Sequence, residues 1–475
     1  MDILFFAILL ICCFLVYIDV QNSLKYLLLI GFLQDPFRKT VTGEPAYFIV
    51  MVGLLFAVIL YSVWRKKGFY YSFEPFSRWN QNIQSVMLIF LLILALQLVH
   101  SIVRYGNPIV GAIGLMSYLS PFLAVVVGYF FASNIENIRR FLLLYISVGL
   151  VVSVSVCLSF LGSDWRILQE VGTGLLIYDQ GTILKSYTGL MRTGELAAWH
   201  VSTTACLIFT LAVSSTKKTN YFLVATIVVA LMLVVALTGR RKMLMLISLF
   251  ILLYYFAFAF YKNTIDSKYF LGIFYSLLVV WGSYEILNLG AYSESLRDYL
   301  ARGTSVFGDA GERFISLGLN PIQWAYNRVG LLGGGLGIAS QGSNLFGSSG
   351  IAGGAGEGGL GKIMVELGLP GLICVIWLFF VMAKYINRIL KLTCQQFVDK
   401  RLLSLMLSLS VFITVNGLTF SVATQLYGDI FVLVLLGILG GFVLAIPKLV
   451  IRDVQITSLN QKLQEHQLLQ ILNRA

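Results

Sequence analysis

The chain has little charge. Of its 475 residues, 12% are Asp, Glu, Lys or Arg and 58% are hydrophobic, with a mean hydropathy of +0.85. That balance excludes a soluble globular protein, because too few polar residues are present to cover a water-facing surface. Histidine is scarcer still: His100, His200 and His466 are all there is, with no nearby cluster of Cys or carboxylates, so a structural or catalytic zinc site lacks its ligands. No Walker A sequence occurs, which leaves an ATP-driven pump without its phosphate loop. Near Met1 there is neither a basic n-region nor a small-residue cleavage site, so the first apolar segment is expected to stay in place as an anchor. Neither a separate soluble domain nor an internal repeat is evident.

What fills the chain instead is a succession of apolar windows long enough to cross a hydrocarbon core of about 30 Å. They run over residues 3–18, 46–63, 86–103, 109–131, 141–161, 196–213, 221–237, 243–261, 269–287, 363–382, 402–422 and 430–446. Residues 24–33 form a shorter run, a tilted span or half-helix leading into the polar stretch 34–44, so the count is twelve or thirteen. The expected architecture is an all-α polytopic membrane domain over residues 1–450. A tail at 451–475, with Ile456, Leu459, Leu463, Leu468 and Leu472 among polar residues, reads as an amphipathic helix on the cytoplasmic side. Cys12, Cys13, Cys157, Cys206 and Cys374 fall within spans and Cys394 on the cytoplasmic side, so no external disulfide is expected.

Lysine and arginine orient the bundle. Arg65, Lys66, Lys67 and Arg78, then Arg139 and Arg140, Lys217 and Lys218, Lys262 and Lys268, and the group from Lys384 to Arg401 share one side if the spans alternate. By the positive-inside rule that side is the cytoplasm. The net charge of +12 is then a topology signal and an attraction to anionic membrane lipids, with no call for nucleic acid. Two long connections, 162–195 and 288–361, are placed outside.

One short external connection breaks the rule: Thr238, Gly239, Arg240, Arg241 and Lys242 put three cations at the outer mouth. They suit an anionic head group such as a lipid-linked phosphate or diphosphate, or, more plainly, snorkelling to external lipid phosphates. Other ionisable residues collect at the same depth. Arg192, Glu195 and Trp199 are spaced to share a helix face if the span extends back that far. His100, Arg104, Glu285, Lys362, Glu366 and Asp429 mark further outer ends, and Asp35 to Lys39 form a polar turn there. A charge at a membrane helix centre costs roughly 2.5 to 3.5 kcal/mol, so a set of this kind is expected to line an outward polar cavity.

The stretch LLGGGLGIASQGSNLFGSSGIAGGAGEGGLGKIMVELGLPGL, residues 331–372, carries a glycine-dense loop and one isolated carboxylate, Glu357, into a membrane helix. Glycine lets such a loop adopt positive φ and bring its N–H groups against an anionic or polyhydroxylated ligand; a flexible linker has the same composition. Glu357 reads either as a general base or as a helix N-terminal charge that suits the dipole.

The order LTGRRK between two spans, a long external loop with Arg297, Arg302, Arg313 and Arg328, then LLGGGLG and ELGLPGL opening the next span, resembles the O-antigen polymerase and O-antigen ligase superfamily of bacterial membrane glycosyltransferases. The resemblance covers residues 192–382. It implies a helical GT-C-type transferase of the cytoplasmic membrane, working without metal or other cofactor. Its implied partners are an undecaprenyl-diphosphate-linked oligosaccharide, a glycan or lipid acceptor, membrane lipids and components of polysaccharide export. Ligases of that superfamily carry a histidine in the external loop; this chain has none between residues 288 and 361, and Glu357 stands near that place, which favours polymerisation over ligation to a lipid core.

The expected chemistry places Arg240 and Arg241, with Arg192, on the diphosphate, where they stabilise the charge of the leaving group, and Glu357 on the attacking hydroxyl. Arg302 and Arg313, in RGTSVFGDAGERF, either close over the cavity to grip donor or acceptor or are solvated loop charges. Trp324 and Tyr326 suit sugar stacking or interfacial anchoring equally. The rival classes are a secondary transporter or lipid-linked glycan flippase, which calls for discontinuous helices around a mid-membrane site, and a nonenzymatic scaffold of an export complex.

Overall fold

The computed structural model describes residues 2–41, 43, 45, 47–77, 81–169, 176–179, 182–215, 220–262, 298–299, 302–303, 305, 308, 310–340, 358–395, 400–424, 426–452 and 455. The expected span 269–287, Glu285, Arg297, Glu357 and the tail 456–475 lie outside them. The described residues form a helical bundle with one short antiparallel β-hairpin. Eight of its helices are long and apolar enough to cross a membrane, or nine if a bent pair near residue 445 is one span.

In chain order the main helices are α1 (Asp2–Ile18), α2 (Ser23–Thr40), α3 (Tyr47–Lys67), α4 (Gln81–Tyr105), α5 (Pro108–Phe131), α6 (Ile135–Phe160), α7 (Gly194–Val213), α8 (Tyr221–Leu237), α9 (Arg241–Lys262), α10 (Asn320–Val329), α11 (Gly359–Gln395), α12 (Lys400–Val422) and α13 (Ile430–Leu444). Their starts are chemically marked. Asn107, Asn134, Thr193, Asn220 and Asp429 each accept a backbone N–H of the first turn, filling donors that the helix itself leaves open.

Two corrections to the sequence reading follow from α2 and α11. Residues 35–39 were expected as a polar turn, yet they continue α2 through Pro36. Proline forfeits one helical hydrogen bond, but α2 is fixed on both sides of it: Phe32 packs on Phe431 and His200, while Asp35 and Lys39 bind the segment ahead of α7. The other correction concerns the span expected at 363–382. Helix α11 is 37 residues long, about 55 Å at 1.5 Å per residue, and it is interrupted at Gly368, where φ is 68° and ψ −170°. Its first nine residues, Gly359 to Leu367, form a separate stub ahead of the break.

That stub packs against α10 and the buried loop after it, both of which belong to the connection expected to lie outside. The backbone groups freed at the break are taken up by this loop: Leu369 N donates to Leu331 O at 2.8 Å and Gly334 N to Val365 O at 2.7 Å. Gln97 and Ser101 of α4 reach the same loop, donating to Leu332 O and Leu336 O at 2.7 and 2.8 Å. Gly337, at φ 86°, lies so close to Val110 and Gly114 of α5 that a Cβ there would collide with Val110 O. The LLGGGLG glycines therefore serve helix packing. Irregular backbone of this kind is tolerated beside a membrane because protein, and not lipid, surrounds it.

Helices α5 and α13 form the closest pair in the bundle. Gly128, Gly437 and Gly441 let the two backbones approach until any Cβ would strike a carbonyl of the opposite helix. Between membrane helices van der Waals packing supplies the attraction that water would otherwise drive, so small residues at the contact are the expected device.

Candidate functional site

The ion pairs that join distant described segments gather at one end of the bundle, where α2, α4, α6, α8 and α12 finish and α5, α7, α9, α11 and α13 begin. Their common anchor is the segment 186–195, which leads into α7. Ser186 donates to Thr238 O at 2.9 Å, Lys39 donates to Thr188 Oγ1 and Gly189 O at 3.0 and 2.6 Å, and Leu190 N donates to Ser155 Oγ at 3.0 Å. A segment tied at almost every second residue has little freedom left, so whatever it carries is held in place.

It carries Arg192. The guanidinium lies between two buried carboxylates, 3.1 Å from Asp35 Oδ1 and 2.5 Å from Asp429 Oδ2, while Arg192 N donates to Asp35 Oδ2 at 3.0 Å. Burial would by itself lower the pKa of this arginine; the two carboxylates outweigh that and hold it charged, above the ordinary value. Asp429 also caps α13 by accepting Val432 N at 2.9 Å. The expected helical face through Arg192, Glu195 and Trp199 is not formed. Thr193 accepts Leu196 N and starts α7 at Gly194, so Arg192 precedes the helix and turns away. The three residues go to three partners: Arg192 to Asp35 and Asp429, Glu195 to Arg240, and Trp199 to Asn416 Oδ1 at 2.9 Å.

Arg240 closes the turn between α8 and α9, and Arg241 is the first residue of α9. Arg240 Nη1 is 3.1 Å from Glu195 Oε1, and each side chain of this pair is about a quarter exposed. Arg241 Nη1 donates to Ser305 Oγ at 2.7 Å, Ser305 donates to Arg302 O at 2.9 Å, and Arg302 Nε donates to Gly239 O at 3.1 Å. The third cation, Lys242, donates to Val422 O at 2.8 Å, at the C-terminal end of α12 where the helix dipole favours it. Arg302 thus belongs with Arg240 and Arg241 although it lies about sixty residues further along the chain.

The two long connections meet over this turn. A hairpin of β1 (Leu176–Asp179) and β2 (Thr182–Lys185) rests on it, with Ile177 filling the place a side chain at Gly239 would occupy. Tyr299 donates to Lys185 O and packs with Tyr187 and Phe160, which joins the second connection to the hairpin.

The remaining expected site residues are placed elsewhere. Arg313 ends a single helical turn, Ala310–Arg313, that passes through a π-helical turn, Phe314–Leu319, into α10; its Nε is buried without a hydrogen-bond partner. Glu366 is fully buried, and its Oε1 accepts Ala339 N at 3.0 Å and Ser340 Oγ at 3.3 Å. Lys362 lies over the ring of Tyr118, and His100 bonds Gln97 at 3.2 Å. Trp324 faces Arg328 at 5.8 Å, and Tyr326 is half exposed. Among the described residues no three His, Cys, Asp or Glu side chains come together as metal ligands.

Sequence reasoning missed Ser305 and gave Asp35 and Asp429 no partner. Asp429 had a readable signal, a lone Asp directly ahead of an apolar run, which marks an N-cap. The pairing of both carboxylates with Arg192 joins residues 157 and 237 positions apart and had none.

Fold and site together define a polytopic helical membrane protein with a basic, loop-covered site at one end of its bundle. No protein-family model matches the chain, and no curated protein matches it.

Proposed function

We propose that this chain is a membrane glycosyltransferase that polymerises or transfers a glycan from an undecaprenyl-diphosphate-linked donor at the outer face of the cytoplasmic membrane. The observation that carries the reading is the convergence of Arg240, Arg241 and Arg302 on one turn beneath both long connections. Arginines in that arrangement offer forked donors to a diphosphate and stabilise the charge that develops on it as the bond to the sugar breaks.

In the proposed step the acceptor hydroxyl oxygen bonds to the anomeric carbon of the donor sugar, the bond from that carbon to the phosphate oxygen breaks, and the lipid diphosphate leaves with the electron pair. Glu357 takes the hydroxyl proton. Its chain neighbour Gly358, just ahead of α11, packs against Leu317 and Pro321. Arg192, held between Asp35 and Asp429, takes the part of a strut that fixes the segment bearing Glu195 instead of a direct diphosphate contact.

One observation favours the transporter reading: α11 is broken at Gly368, beside the buried Glu366. Transporters use such breaks to expose backbone groups to a substrate. Here the chain's own Leu331 and Gly334 take those groups, so the break supports packing more than a ligand site.

The test is a transfer assay in reconstituted membranes with a lipid-diphosphate-linked oligosaccharide, comparing the native chain with Arg240→Ala, Arg241→Ala and Glu357→Gln. Loss of product in all three folded variants supports the reading. Donor translocation without product, unaffected by Glu357→Gln, sinks it in favour of the transporter.

A further inference from the structure

A cationic site at the end of a membrane bundle stands at the level of phospholipid head groups, each with a phosphate of its own and present in great excess over any carrier lipid. A site built only of arginines would be filled by them, so selectivity requires an element that acts against the wrong ligand. Glu195 has the position for this. It lies in the first turn of α7, where Thr193 caps the helix and the anchored segment 186–195 fixes its root, so the carboxylate is presented from a rigid base. Its Oε1 stands 3.1 Å from Arg240 Nη1, and with each side chain about a quarter exposed the pair keeps some contact with water. Such a pair can be exchanged, unlike Arg192 with its two buried carboxylates.

We propose that Glu195 is the specificity-determining residue of the arginine site, an internal counter-ion that a single phosphodiester does not displace and a diphosphate does. The inference rests on the phosphate-binding reading of Arg240 and its neighbours. A phosphodiester carries one negative charge, the same as the carboxylate. Replacing Glu195 on Arg240 by such a group gains no charge pairing and leaves two anions side by side. A diphosphate carries at least two charges on two sets of oxygens. While one phosphate takes Arg240, the other reaches the cations tied to the same turn, Arg241 through Ser305 and Arg302 through Gly239 O. Only the second ligand outweighs the repulsion from Glu195.

The test is a titration of the purified full-length chain in zwitterionic phosphatidylcholine nanodiscs with two soluble probes, farnesyl diphosphate and dihexanoyl phosphatidylglycerol. Glu195→Gln keeps the shape and removes the charge; it is expected to tighten phosphatidylglycerol about tenfold and the diphosphate about twofold, narrowing the preference about fivefold. Glu195→Asp keeps the charge and is expected to keep the preference. An unchanged ratio in Glu195→Gln, or equal weakening of both probes, overturns the inference and makes Glu195 a structural brace for Arg240. Arg240→Ala separates the two levels of the argument. If it weakens both probes while Glu195→Gln leaves the ratio alone, the phosphate site stands and the role of Glu195 falls; if it binds both as the native chain does, the phosphate reading falls and takes the inference with it.

Discussion

Replacing Arg192 by methionine removes the charge that joins α2, the segment ahead of α7 and the start of α13 while keeping most of the stem. Two buried carboxylates, Asp35 and Asp429, then lose their cation together. Removing one partner of a buried ion pair costs about 3–5 kcal/mol, and because Arg192 keeps a little solvent contact the lower end, about 3 kcal/mol, is expected. Asp35→Asn and Asp429→Asn alone cost less, since an amide oxygen still accepts Arg192 N or caps α13 through Val432 N. Joined to Arg192→Met, the two Asn substitutions remove the orphaned charges and restore much of the loss. The coupling between Arg192 and either Asp is expected near 1–3 kcal/mol in a double-mutant cycle. Unfolding in mixed micelles by titration with SDS, followed by tryptophan fluorescence, reads these differences. An Arg192→Met protein within about 0.5 kcal/mol of native, or costs that add without coupling, refutes the strut.

Gly337→Ala places a methyl group against Val110 O at a φ of 86° and is expected to abolish folding or cut its yield severely, whereas Gly162→Ala, with positive φ but open space, costs only about 1 kcal/mol; expression and size-exclusion profiles of the two separate packing from backbone strain. Glu366→Gln retains an oxygen for Ala339 N and Ser340 Oγ and is expected to be tolerated. Glu366→Leu removes the acceptor that Ala339 N uses, with a loss of about 1–3 kcal/mol in the same unfolding assay, and equal tolerance of both variants contradicts the role given to Glu366. Trp199→Phe loses the bond to Asn416 and is expected to cost about 1 kcal/mol there, because Asn416 still accepts from Tyr427.

Much of the bundle was legible because a membrane span is written locally, in about twenty apolar residues: the eight described helices long and apolar enough to cross overlap expected windows, whereas α10 falls inside a connection expected as a loop. The gathering of charge at one end was legible for the same reason: alternating spans bring every second connection to one side. What the sequence withheld is long-range or conformational. Residues 331–340 read as a loop free to meet a ligand, yet their glycines are spent on contact with α4, α5 and α11; composition is the same in both cases, and only the neighbours differ. The face expected through Arg192, Glu195 and Trp199 failed at one residue, Thr193, whose capping bond sets the helix start. Residues 35–39 looked like a turn because Asp, Pro, Arg and Lys favour one, and packing of Phe32 and pairing of Asp35 and Lys39 overrode that preference. Arg302 was named from its loop alone; its bond to Gly239 O is what brings it to Arg240 and Arg241.

The central claim is that a glycosidic bond forms at the arginine-lined end of this bundle. Its most direct test is mass spectrometry of the glycan recovered from vesicles holding only the purified native chain, a lipid-diphosphate-linked oligosaccharide and its acceptor. The account predicts products longer by whole donor units, with release of lipid diphosphate in equal amount and loss of both in Arg240→Ala. Donor recovered unextended, whether left in place or moved to the other leaflet, contradicts it.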